Sequence, residues 1–116
     1  MTVRLLLRLE GLAIAAGAVV LYADGDHSWW LFALLILAPD LSFLGYLAGP
    51  RLGAAAYNLL HNLVLPVALG TAAVLADSDA FLAVALIWLA HIGVDRLIGY
   101  GLKYPTAFKD SHLQRV

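Results

Sequence analysis

The sequence predicts an all-α integral membrane protein, a four-helix up-down bundle with both termini in the cytoplasm. Three observations predict it: the composition, four apolar runs of membrane-spanning length, and a one-sided distribution of Lys and Arg. The 116 residues are 63% hydrophobic and 13% charged, with a mean hydropathy of +0.88. A soluble domain is nearer half apolar and a quarter charged. A chain this short has too much surface for its volume to hide that much apolar side chain from water. Lipid is the solvent that suits it. Strand readings fail because the runs are too long and lack sustained alternation, and in lipid only helices or closed barrels satisfy their backbone polar groups.

The first span is residues 5–22. Arg4 and Arg8 at its start could imitate a secretory signal, but Glu10 inside the apolar region argues for a retained helix. Asp24, Gly25, Asp26, His27 and Ser28 form a solvated loop, and Trp29 and Trp30 then suit a membrane interface. The second span is residues 29–48, ended by the turn Gly49-Pro50-Arg51. The third, residues 52–75, contains no Asp, Glu, Lys or Arg. Ala76-Asp77-Ser78-Asp79 follows, with Ser78 or Asp79 as the N-cap of the fourth span, residues 81–102. Each run is close to the roughly 20 residues that cross a hydrocarbon core. Short loops force antiparallel neighbours. Pro39 and Pro66 fall inside spans and predict kinks that free backbone carbonyls. Gly11, Ala15, Gly45, Ala48, Gly93 and Gly99 suit close helix packing. The whole chain, 1–116, reads as one transmembrane domain with a polar tail over 103–116.

Orientation follows from the cations. Arg4, Arg8, Arg51, Lys103, Lys109 and Arg115 lie at the two termini and the second loop, whereas the first and third loops carry only Asp. The positive-inside rule puts the cationic side in the cytoplasm. A net charge of −1 with no basic run gives no reason to expect nucleic acid. The absence of cysteine excludes disulfides and thiolate metal sites. No P-loop, zinc finger or dinucleotide fingerprint is present, and Ser42 is the only serine within a span, so no Ser-His-Asp arrangement is convincing.

Topology converts sequence position into depth. At 1.5 Å per helical residue, Glu10 lies roughly 9 Å in from Arg4, Asp40 roughly 15 Å in from Pro50, and His61 a similar distance from Arg51. Asp95 and His91 lie roughly 12 and 18 Å in from Lys103, and their spacing of four puts them on one helix face. Five ionisable groups from four helices therefore share one layer, and buried ionisable groups in a membrane span usually have a use. His with carboxylates from several helices is ligand chemistry for zinc, iron or manganese. Asn58, Asn62, Arg96 and Tyr100 are expected around that layer as supporting and charge-balancing groups. Tyr104, Phe108 and Leu113 suggest that the tail folds back, bringing Lys103, Lys109, Asp110 and His112 to the cytoplasmic rim.

The segments Leu37-Ala38-Pro39-Asp40-Leu41-Ser42, Gly49-Pro50-Arg51, Ala56-Tyr57-Asn58 with His61, and the run from His91 through Gly99-Tyr100-Gly101-Leu102-Lys103-Tyr104 carry a likeness that covers nearly the whole chain. The chain resembles a bacterial four-span membrane family catalogued as a domain of unknown function, family 4260. The resemblance implies a bacterial inner-membrane location and brings no activity, so catalytic residues and substrate stay unassigned.

The expected function is a divalent-metal-binding membrane protein or metalloenzyme with Glu10, Asp40, His61, His91 and Asp95 as ligands. A proton- or cation-linked carrier would use the same groups, and four spans would then require a homodimer for a pathway. Haem with His61 and His91 as opposed axial ligands is a weaker expectation, because carboxylates are poor company for it. A structural subunit of a larger membrane complex is the remaining one.

Overall fold

Four segments are long and apolar enough to cross a membrane: Val3–Asp24, Trp29–Ala48, Pro50–Leu75 and Asp79–Ile98. The computed structural model describes residues 2–103 and 111–115, and the elements among them are all helical apart from one isolated bridge, Lys103 to Ser111. The first and fourth segments are single helices, α1 (Val3–Asp24) and α5 (Asp79–Ile98). The second and third are each broken. Trp29–Ala48 splits into α2 (Trp29–Leu35) and a 3-10 helix (Ala38–Ala48), and Pro50–Leu75 splits into α3 (Pro50–His61) and α4 (Val64–Leu75). A last turn, α6, covers His112–Arg115.

Helix α1 starts on Thr2, whose hydroxyl accepts from the Leu5 amide at 3.1 Å. Its buried residues are Gly11, Ala15, Ala18 and Tyr22, a stripe of mostly small residues at helical spacing. That stripe lies on α5 with backbone almost touching backbone. A Cβ at Gly93 would stand 2.5 Å from the Ala15 nitrogen and 2.7 Å from the Gly11 carbonyl oxygen. One at Gly11 would meet the Arg96 Cβ at 2.5 Å. Lipid offers no hydrophobic drive between helices, so contact depends on such close approach.

Helix α5 is the centre of the fold. It is capped by Ser78 and ends on Gly99, whose φ of +104° sets the left-handed turn. The Tyr100 amide then reaches the Asp95 carbonyl at 2.7 Å and the Gly99 amide the Arg96 carbonyl at 3.2 Å, a Schellman ending. Its burial runs continuously from Ala90 to Gly93, and α1, α2 and α4 all pack on it. Tyr22 is fully buried among Ala18, Ala83, Leu86, Ile87 and Ala90. His27, read from sequence as a solvated loop residue, is half-buried with its ring 5.0 Å from that of Tyr22, because the loop turns inward over this aromatic group.

Both breaks follow from proline. Pro39 has no amide hydrogen, and the Asp40 amide bonds the Leu37 carbonyl in a 3-10 step at 3.0 Å, releasing the Ile36 carbonyl. Pro66 likewise leaves the Asn62 carbonyl without its usual partner, and the backbone at Asn62 is extended. Asn62 mends that break. Its side-chain oxygen accepts from the Leu65 amide at 3.1 Å, starting α4, while its side-chain nitrogen donates to the carbonyls of Asn58 (2.8 Å) and Leu59 (2.7 Å), closing α3. Between the 3-10 helix and α3 the contact is again glycine-mediated: a Cβ at Gly45 would stand 2.8 Å from that of Ala56. The large apolar side chains left exposed, such as Leu34, Leu47 and Leu75, clothe the outer surface in the way a lipid-facing protein requires.

Candidate metal centre

The two breaks and α5 meet at one point. On α5, Trp88, His91, Asp95 and Arg96 occupy positions i, i+3, i+7 and i+8, a single helical face. Three of them satisfy backbone carbonyls near the ends of the broken segments. His91 Nδ1 donates to the Ile36 carbonyl at 2.5 Å, Trp88 Nε1 to the Leu60 carbonyl at 2.5 Å, and Arg96 Nη2 to the His61 carbonyl at 3.3 Å. Irregular backbone at membrane depth needs such protein partners, since hydrocarbon supplies none. The breaks and the polar face of α5 are complementary parts of one arrangement.

His61 is 3% exposed and His91 5% exposed. His61 Nδ1 bonds the Tyr57 carbonyl at 2.8 Å. A carbonyl oxygen only accepts, so Nδ1 carries the hydrogen in both rings and each Nε2 is directed inward as a bare nitrogen in the neutral imidazole. The two Nε2 atoms are 3.1 Å apart. Asp40 Oδ1 lies 3.3 Å from the nitrogen of His61 and 3.0 Å from that of His91, and Asp95 Oδ2 lies 3.5 and 3.2 Å from the same pair. Four electron-pair donors from three spans thus converge, all within 4.8 Å of one another and close enough to hold a metal ion.

The remaining residues expected at the site take other places. Glu10 is exposed on α1 and stands outside the group of four. Its neighbour Gly11 occupies the contact with α5, which turns the Glu10 side chain about 100° away from that contact. Glu10 remains within electrostatic reach of Arg96. Asn62 is committed to the helix break rather than to the site. Asn58 clamps the Lys103 backbone, donating to its carbonyl at 2.7 Å and accepting from its amide at 2.6 Å. Tyr100 is exposed and caps α5 through its amide.

Lys103 does not lie at an open rim. The Asn58 clamp and the bridge to Ser111 pull it inward, where it is 5% exposed with Nζ 4.8 Å from the centroid of the Tyr57 ring. Tyr57 in turn stacks on His61 with ring centroids 3.7 Å apart and planes within 4°. Burial holds the Lys103 ammonium below its ordinary value. His112 closes the same end: its Nδ1 accepts from the Leu102 amide at 2.8 Å, and its own amide donates to the Leu102 carbonyl at 2.9 Å. Burial first, and then the Arg96 charge, hold the His112 imidazole below its ordinary value. The first turns of α1 join this closure, with Arg4 Nε on the Leu113 carbonyl at 3.1 Å and Arg8 Nε on the Leu97 carbonyl at 2.7 Å. Lys109, Asp110, Tyr104 and Phe108 lie outside the described residues.

Sequence reasoning passed over Tyr57 and Trp88. Their signal was present, since Tyr57 precedes His61 by four residues and Trp88 precedes His91 by three, spacings that put each pair on one face. The Ile36 carbonyl that fixes His91 carries no side-chain signal at all.

The geometry lends the haem expectation no support. Asp40 and Asp95 oxygens sit nearly equidistant from both Nε2 atoms, in the equatorial space that a porphyrin between two axial histidines would need. The chain matches no curated protein and no solved structure. Residues 4–116 match the family described as a domain of unknown function, DUF4260, and the chain belongs to that family.

Proposed function

We propose that this is a divalent-metal-binding membrane protein whose centre is Asp40, His61, His91 and Asp95. The observation that carries the reading is that both Nδ1 atoms are tied to carbonyls, so four acceptors face one another and require positive charge between them. A divalent ion with two neutral imidazoles and two carboxylates is a neutral unit, which suits a membrane interior. Metal bonds of about 2.0–2.1 Å set tetrahedral ligand–ligand edges of about 3.3 Å. The five distances of 3.0–3.5 Å among these atoms are close to that figure. Zinc fits this donor set best, with iron and manganese next. The carbonyl bonds at Nδ1 are also the usual outer partners of metal-bound histidines, fixing tautomer and ring orientation.

Asp40 is the most open of the four, with 33% of its side chain exposed, and is the side from which water or a substrate would reach the ion. A metalloenzyme would use that position to activate water or to polarise a bound group. The Lys and Arg asymmetry and the family likeness support cytoplasmic termini and a bacterial inner membrane.

The test is elemental analysis of the purified protein, with metal titration of chelator-treated samples. About one divalent ion per chain is expected, lost in His61→Ala and retained in Glu10→Gln. Absence of metal as purified, together with none gained on titration, would falsify the reading. Proton movement by the same sample in liposomes would then favour the carrier, with protons supplying the positive charge.

A further inference from the structure

Beside the four ligands lies an apolar cleft of about 230 Å³, walled by residues that include Leu35, Pro39, Leu60, Val84, Ile87 and Trp88. It lies where the second and third spans are both broken. Its one indole N–H, on Trp88, already bonds the Leu60 carbonyl. These walls are almost wholly apolar.

The cleft adjoins the centre. Pro39 and Leu60 immediately precede Asp40 and His61, and Ile87 and Trp88 lie one turn before His91 on α5. Depth gives it a direction. Counting along α5 from Ile98, His91 is roughly 10 Å in, Ile87 roughly 16 Å and Val84 roughly 21 Å. The polar centre is therefore nearer one face of a core about 30 Å thick, and the cleft extends from it to the middle and somewhat beyond. Leu34, Leu37 and Leu59, each next in sequence to a lining residue, are exposed on the surface that faces lipid.

We propose that the cleft takes the alkyl chain of a membrane amphiphile whose polar head reaches the metal centre from the Asp40 side. This rests on the metal reading and names the substrate class for it. A head near the interface with a tail toward the midplane is the posture an amphiphile already holds in a bilayer, so binding needs no reorientation. A cavity of about 150 Å³ accepts benzene, and this larger one, open at one side, accepts a chain segment longer than that ring.

Cobalt(II)-loaded protein in phosphatidylcholine nanodiscs, titrated with acetohydroxamate and with octanoyl hydroxamate, reads both parts through the cobalt visible band. In Val84→Phe, and independently in Ala38→Leu, a further lining residue contributed by the second span, half-saturation by octanoyl hydroxamate is expected to rise at least about tenfold, the worth of roughly two methylenes of contact. Acetohydroxamate, with no tail, is expected to respond equally in all three proteins. Equal responses to the octanoyl compound would overturn the proposal while leaving the metal reading intact. Failure to load cobalt or any other divalent ion would remove the metal reading instead. The cleft is then read by photo-crosslinking with a diazirine-bearing palmitate. Labelling concentrated on Leu60, Ile87 and Trp88 and lost in Val84→Phe supports a chain site, and labelling spread evenly over Leu34, Leu37 and Leu59 overturns it.

Discussion

The contact between α1 and α5 and the contact between α5 and the broken spans solve opposite problems. Where α1 meets α5, both helices are unbroken, the closest partners are small, and Gly11, Ala15 and Gly93 let the backbones touch. Where α5 meets the second and third spans, two helices are interrupted and freed carbonyls are taken up by His91, Trp88 and Arg96. The first contact rests on the close approach of small residues, with its one side-chain hydrogen bond described above, Arg8 to the Leu97 carbonyl, at one end. The second is stable because its polar groups are matched one to one, and it is the only one of the two that leaves donor atoms over. Once Nδ1 of each histidine is spent on backbone, Nε2 remains for chemistry. For His91, the break in the second span thus supplies the carbonyl that occupies Nδ1 and leaves Nε2 for the candidate site.

The sharpest way to break the comparison is to disturb one contact and read the other. Gly93→Leu drives a side chain into the Ala15 backbone and is expected to cost about 3 kcal/mol of stability, the upper end for overpacking because backbone cannot yield. Reversible unfolding in mixed micelles measures it, and the molecules that do fold should bind metal as wild type does. A parallel loss of metal affinity would mean that the two contacts are not separable. His91→Ala attacks the other side, removing a ligand and the partner of the Ile36 carbonyl together. Its metal affinity, read by competition with a chromophoric chelator, should fall at least about a hundredfold. An unchanged affinity would disqualify His91 as a ligand.

Smaller effects sharpen the boundary between break and site. Asn62→Ala removes caps from two helices at once and is expected to cost about 1–2 kcal/mol. Metal affinity should hold, because Asn62 donates nothing to the ligands. A large affinity loss would show that the break itself tunes the centre. The smallest effect belongs to His112. Its imidazole, held below the ordinary value of 6.5, is protonated more readily in the unfolded chain than in the fold. The stability it contributes is therefore complete above about pH 6.5 and declines as pH falls toward the folded value. Solvent screening at this half-exposed position keeps the decline small. A His112→Gln variant should show a flatter stability profile between about pH 7.5 and 5.5, and an identical profile would refute the assignment to His112.

Much of the molecule is legible in the order of its residues. Four apolar runs mark the four membrane-length segments, and Pro39 and Pro66 mark where two of them break. The small residues Gly11, Ala15 and Gly93 announce a close crossing. Counting residues from the cationic side puts Asp40, His61, His91 and Asp95 in one layer, and those four do converge. The same count puts Glu10 there too, and it faces outward. Asn62 reads as a supporting group around that layer and is instead a double helix cap, because a proline four residues later creates a need that outranks the neighbouring site.

The physical reason for the division is geometric. Depth along a helix is a one-dimensional quantity, fixed by rise per residue, so the sequence alone determined the class, the spans and the layer. Rotation about each helix axis is set by which face finds a partner, and that is decided only when the helices pack. Gly11 rather than Glu10 meets α5 because the close approach needs a residue without a side chain. The Ile36 carbonyl meets His91 because a break in one span lies beside the polar face of another. Tertiary structure alone decided which of the five ionisable groups became neighbours and which nitrogen each histidine has left to offer.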